Sequence, residues 1–382
     1  MLETDNHCYT LSHHLSPHQR SAGGELASKC ERWCERHASD AKDTCIEVCS
    51  RHAHPEEGHS AEWLQEAFQH IEFVVWFALG NQHVPGQFGH HQFEAPDLSF
   101  AHALQKSHPG SGLVVMTDQE TQLDLGNVSA EIFRLTLDKD KLGRNAYANY
   151  YGFQAQLAYL HKLQLQGGGK NVVFLDMDVL VLDSIAEVFC HSFDYGLTMV
   201  DSMDQPVNLG MQFVHKDHYD QAIGFIQDVL ERYSLEDNGL FTEGQVALAE
   251  TVHLKDLHEE KMVLHDAASE QNQECRFLNE RHTVCFFPCL RYNYWDKCLE
   301  HHHPQPLNPF DPDDYMRHGV KALHFVAWRK AALHDVLEAF LAHGKKGAYK
   351  VFAHLPHTEE DFEEWRLQRE QHPWDHQTGT EY

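Results

Sequence analysis

Asp176 and Asp178 bracket a single methionine directly after four apolar residues, Val172 to Leu175, and a second apolar run, Val179 to Leu182, follows them. Acids flanked on both sides by buried strand are costly unless they have a partner. Two carboxylates at i and i+2 of an extended segment can both turn toward the mouth of a sheet, where their oxygens suit a hard divalent cation, Mn2+ or Mg2+. Such a site, with coordination positions left open, recruits a diphosphate. Far downstream the string KALHFVAWRK sets His324 and Lys330 six residues apart beside an apolar stretch. The imidazole offers a third metal ligand, and the lysine a point charge for a phosphate. The plainer reading is a strand end that solvates two acids and a histidine that belongs to the core. The apolar run after Asp178 weighs against it.

Residues of this kind need a scaffold that brings them together, and the chain supplies the pattern of one. A helical stretch, AEWLQEAFQH from Ala61, leads into the apolar run FVVWFAL, which ends at Gly80-Asn81 and Pro85-Gly86. A second strand is predicted at Gly112 to Thr117, closing on Asp118, and a third at Glu131 to Leu137. A long helix follows over about 146–166, with Tyr150, Phe153, Leu157, Leu160 and Leu163 spaced for one buried face, and it stops at Gly167-Gly168-Gly169. Then NVVFLDMDVLVL begins. Continuous apolar strands alternating with helices predict an α/β fold, a mostly parallel sheet sandwiched by helices. Ligands of such sheets sit at the carboxyl ends of the strands, which makes Asn81, Asp118, Asp176 and Asp178 candidates.

Thirty basic residues against 58 acidic give the 382-residue chain a formal charge of -28, which repels phosphate backbones and anionic lipid over most of the surface. Nucleic acid is therefore not an expected partner, while a nucleotide held by a metal and a few cations is compatible. The 33 histidines would cancel much of that charge on mild acidification. The longest apolar run, Phe73 to Leu79, is far short of the ~20 residues that span a bilayer. The opening MLETDNHCYT has no signal-peptide character, so the expectation is a cytoplasmic protein or one whose targeting segment is gone.

The cysteines favour the second. Cys30-x3-Cys34 and Cys45-x3-Cys49 place pairs of thiols on one face of each of two helices, a pattern that fits a stapled hairpin better than a zinc site, which usually has knuckle glycines. Cys275, Cys285, Cys289 and Cys298 can add one or two bridges. With the sequon Asn127-Val128-Ser129, these point to a secretory lumen, Golgi or endoplasmic reticulum. Three regions are expected: a polar tail and twin-cysteine hairpin over 1–60, a catalytic body over 61–345, and an acidic tail with a surface helix over 346–382.

FLDMDVLVL, VNLGMQFV, EGQVAL, FPCLRYNYW and HFVAWRK, in this order, resemble the GT-A fold of nucleotide-sugar glycosyltransferases, most of all the retaining enzymes of the glycogenin and lipopolysaccharide galactosyltransferase kind. The resemblance covers roughly Phe73 to Lys330. It implies Mn2+, or Mg2+, on Asp176, Asp178 and His324, with Lys330 on the diphosphate of a nucleotide sugar. It implies that Ala78 and Asn81 contact the uracil of a UDP-linked donor, that Asn208 lies beside the sugar, and that Gln245 lies on the sugar face opposite the leaving group. The implied acceptor is a glycan or glycoprotein, and the implied outcome is retention.

The sequence departs from the pattern at four places. Gly244 stands where the family usually has an acid, with Glu243 next to it. Ala327 replaces a common glycine, and Ala331-Ala332 replace the Pro-Trp after the lysine. Gly152 stands where an arginine on the helix before the acid pair is common. Two other functions compete. An aspartyl-nucleophile phosphohydrolase of the haloacid dehalogenase kind also has a strand followed by two acids, with Asp311, Asp313 and Asp314 as its later group. A catalytically silent carbohydrate-binding protein on the same fold is the other. Tyr292, Tyr294 and Trp295 are candidates for stacking on an acceptor sugar or for the core. The triplet His301-His302-His303 reads as part of a polar loop.

Overall fold

The computed structural model describes residues 61–77, 98, 100–137, 145–190, 193–199, 207–233, 243–252, 274–278, 281–295, 298 and 307–356. The stapled hairpin expected over 1–60, Ala78, Asn81, the triple-histidine loop and the acidic segment from Thr358 lie outside them. The chain divides into Met1–Leu64 with Glu187–Ser192, and Gln65–Ala186 with Phe193–Tyr382. The second unit holds both sheets. No described helix is long and apolar enough to cross a membrane.

Helix α1 (Ala61–Gln69) precedes β1 (Ile71–Trp76), α2 (Phe100–Ser107), β2 (Gly112–Asp118), β3 (Glu131–Leu135), α3 (Asn145–Leu165) and β4 (Asn171–Leu175). After β5 (Val179–Val181), β6 (Tyr195–Met199) and β7 (Val207–Val214) come α4 (Tyr219–Arg232) and α5 (Glu243–Thr251). Next are β8 (Glu274–Leu278), β9 (His282–Pro288) and the short helices α6 (Cys289–Tyr292) and α7 (Pro312–Arg317). Strand β10 (Ala322–His324) and α8 (Leu333–Ala353) close the described fold, with α8 running on past residue 345.

Eight strands form one sheet in the order β3-β2-β1-β4-β7-β6-β9-β8, and β5 with β10 forms a second. Pairings are parallel from β3 through β4 and between β6 and β9, whereas β7 is antiparallel to both neighbours and β8 to β9. Six of the eight strands thus share one direction, the mostly parallel sheet expected. Every residue of β4 is buried, because NVVFL is covered on both faces and needs no polar alternation. One cover is α3, whose Phe153, Leu160 and Leu163 pack with Val74, Met116, Val172 and Phe174 of the strands and with α4 and α5. Burying a side chain of this size contributes about 1.5–3 kcal/mol. Helix α3 ends where Gly168 N donates to Leu163 O, with Gly167 and Gly168 at positive φ, which explains the triple glycine.

The polar side of the fold carries His–Asp pairs. His218 Nδ1 lies 2.8 Å from Asp194, and Thr283 N donates to the other oxygen of that carboxylate. The hydrogen bond to Asp194 raises the His218 pKa above its ordinary value, against partial burial and with help from Asp217. A raised histidine contributes stability fully below about pH 6.5 and loses it as pH rises through the folded value. His218→Gln should therefore lower Tm by about 2 °C at pH 5.5 and by much less at pH 8.5, read by thermal melts of parent and variant. An equal gap at both values would refute the charged pair.

Candidate active site

Strand β4 stops at Leu175 because the chain leaves the main sheet there. Asp176 N still donates to Gly210 O on β7, but Val179 N already donates back to Asp176 O, so Asp176-Met177-Asp178 is a turn. This corrects the extended segment expected from the spacing: β5 must swing out to pair with β10. That antiparallel pairing sets His324 opposite Val179, and Phe325 N donates to Asp178 O. Registration of two short strands thereby brings a distant imidazole against the acid pair.

His324 Nε2 lies 3.3 Å from Asp178 Oδ1 and 3.9 Å from Asp176 Oδ2, and Lys330 Nζ lies 2.7 Å from Asp178 Oδ2. Ligand atoms of the two acids and the histidine fall within 4.8 Å of one another, the only such group among the described residues. Asp176 is half exposed, whereas the Asp178 and His324 side chains are 16% and 7% exposed, so an open carboxylate faces outward over a buried pair. Desolvation among the crowded groups of the site and the neighbouring Asp178 charge raise the Asp176 pKa above its ordinary value, against His324 and Lys330. Burial would raise Asp178 too, but His324 and Lys330 outweigh it and hold this acid well below the usual range. Lys330 is held above its ordinary value by the two carboxylates, which overcome its own burial. Two crowded carboxylates beside an imidazole, two hard donors and one borderline, form a donor set that fits Mn2+ or Mg2+.

The histidine ring is seated on a glycine. A Cβ on Gly210 would stand 2.6 Å from His324 Cε1 and 2.7 Å from Nδ1, closer than any real contact. Asn208 Oδ1 accepts from Gly210 N at 2.7 Å and from Asn293 Nδ2 at 2.8 Å, and Asn293, fully buried, donates also to Thr198 Oγ1. Tyr294 accepts through its carbonyl from His324 N. The disulfide Cys289–Cys298 brackets this segment, and Cys285 is disulfide-bonded as well. Sequence reasoning gave no role to Asn293 or to the tight seat at Gly210. Tyr292 and Tyr294 are buried and belong to the core.

Asp118 ends β2 as expected, and its carboxylate accepts from Glu120 N, Thr121 N and Thr121 Oγ1 within its own loop. Asp311 caps α7, and both Asp311 and Asp314 pair with Arg317. The acids that would complete a phosphohydrolase site are thus engaged in holding that helix. Gln245, in the first turn of α5, has its Oε1 buried with no hydrogen-bond partner among the described residues. Glu243 opens the same helix. A Cβ on Gly244 would meet Leu209 at 3.1 Å, Asn149 at 3.3 Å and Phe153 at 3.4 Å, so packing closes this position to a larger side chain.

No protein-family model and no curated protein matches the chain. Among solved structures, a glycosyltransferase involved in glycosylation of the major capsid of PBCV-1 matches at 12% identity, covering 70% of this chain and 99% of that one, with a TM-score of 0.35. The galactosyltransferase LgtC, solved with donor and acceptor sugar analogues, matches at 11% identity, covering 78% and 100%, with a TM-score of 0.34. The glycosyltransferase GlyE of Streptococcus pneumoniae TIGR4 matches at 9% identity, covering 68% of this chain and 55% of that one, with a TM-score of 0.35.

Proposed function

We propose that the chain is a divalent-cation-dependent glycosyltransferase that moves a sugar from a nucleotide donor, UDP-linked, to a glycan or glycoprotein acceptor with retention of configuration. One observation carries this reading: two carboxylates, an imidazole and an ammonium from distant segments meet at the carboxyl end of β4. Asp176, Asp178 and His324 would hold the cation, Mn2+ ahead of Mg2+ because of the imidazole. The cation supplies neutralisation of the charge that develops on the departing diphosphate. Lys330, held cationic by the acid pair, adds a point charge to the same phosphates.

Toward the nucleotide, Ala78 and Asn81 are assigned the uracil, and Asp118 is assigned the shape of the loop that its carboxylate closes. Toward the sugar, the orphaned Gln245 Oε1 is an acceptor for a hydroxyl. Asn208 Oδ1 is already engaged twice, which leaves its amide nitrogen as the donor. Glu243 is assigned the carboxylate that Gly244 lacks. A neutral amide is a poor nucleophile, so attack of the acceptor on the face the leaving group departs from is favoured over a covalent intermediate. The Cys289–Cys298 bridge supports a secretory lumen as the compartment.

The test is release of nucleoside diphosphate from a panel of nucleotide sugars, with Mn2+ or with chelator. Slow hydrolysis of one donor, lost on chelation and regained with Mn2+, is the expected result. Folded protein that neither binds nor turns over any donor in Mn2+ would defeat the assignment.

A further inference from the structure

We propose that Trp76 determines donor specificity as the ring on which the transferred sugar stacks; this rests on reading the metal quartet as a donor site. Strand register places the residue. Val75 pairs with Leu175 as the last pair between β1 and β4, so Trp76, one residue on and paired with Met116 of β2, ends β1 beside the strand end from which the Asp176 turn departs. The indole is only partly buried and packs toward the cluster that holds Phe174 and α3. Its edge rests on α3, since a Cβ on Gly152 would stand 3.4 Å from Trp76 Cδ1 and 3.7 Å from Nε1.

From Gly152 the same helix carries the wall to Asn149, which meets Gly244 at the head of α5, and Gly244 meets Leu209 on β7. The unpartnered Gln245 Oε1 belongs to that helix head. Charge is concentrated at the metal quartet, while Trp76, Gly152, Gly244 and Leu209 offer none. A diphosphate held by the quartet therefore leaves its sugar beside an indole and an amide. That combination suits an uncharged pyranose, whose C–H face stacks on an aromatic ring while its hydroxyl rim is read by amides. Among the described residues named on this wall, none is a cation to meet a uronic acid.

Binding of UDP, UDP-glucose, UDP-galactose, UDP-xylose and UDP-glucuronic acid, each with Mn2+, tests this by calorimetry on parent, Trp76→Phe, Trp76→Leu and Trp76→Ala. In the parent at least one neutral sugar should tighten binding over UDP alone, and glucuronic acid should not. Trp76→Leu, which keeps the bulk against Gly152, and Trp76→Ala should weaken that neutral donor about 10-fold while moving UDP less than about 3-fold, and Trp76→Phe should restore most of the loss. Equal weakening of UDP and the neutral donor, or none in any variant, would overturn the inference and leave the donor site standing. Absence of Mn2+-dependent UDP binding in the folded parent would overturn both.

Discussion

Asp178→Asn is expected to lower Mn2+-dependent donor turnover by about 10²–10³-fold, the usual loss when a preorganised charge at a leaving group is removed. The residue is the hinge of the quartet, since its two oxygens meet His324 and Lys330 separately while Asp176 meets only the imidazole. Asparagine keeps the shape and the Phe325 N bond to the backbone carbonyl, so the fold should survive. Lys330 would lose its ion pair, His324 its anionic partner, and the cation one of two carboxylates. The measurement is diphosphate release across a Mn2+ titration, beside a thermal melt. The expected pattern is a large drop in rate and a rightward shift in the Mn2+ curve with Tm nearly unchanged. Turnover within about threefold of the parent would remove Asp178 from the chemistry.

Local signals made part of this site legible. A strand that is apolar throughout and then acidic twice can be read without a structure, because apolarity and charge are properties of single residues. The helix α3 was legible for the same reason, its apolar face and glycine stop standing within about one residue of the observed ends. The shape of the acid turn was not, because it depends on β5 leaving for a partner that lies far along the chain. Asp118 carries a second signal: a lone acid at a strand end looks like a ligand, and Thr121 three residues on closes its carboxylate into a local turn, which the sequence also contains. Asn293 carries no local signal, and Gly210 stands out only as the glycine two residues after Asn208, with nothing to say that a ring lies on it. A glycine reads alike whether a turn requires it or a ring lies on it, and only the placement of His324 distinguishes the two.

That placement makes Gly210→Ala the sharper test of the geometry, because it adds one methyl group and changes no charge. Gly210 is not among the glycines with positive φ, so alanine meets no backbone penalty and the whole effect is steric. The new carbon would lie 2.6 Å from the His324 ring and 2.8 Å from Asn208 Oδ1. Neither can retreat easily: His324 is 6% exposed and tied by its backbone to Tyr294, and Asn208 is held by the buried Asn293. The ring should therefore tilt and carry Nε2 away from the carboxylates. Expected are a loss of about 10²-fold in turnover and a rise of about 10-fold in the Mn2+ concentration needed for half activity, as for a displaced ligand. Gly244→Ala is the control, since the atoms its Cβ would meet belong to Leu209 at 3.1 Å, Asn149 at 3.3 Å and Phe153 at 3.4 Å, none of them a metal ligand. It should leave the Mn2+ requirement unchanged. Comparable Mn2+ shifts in both variants would mean that the glycines serve packing alone and that His324 is not seated by Gly210.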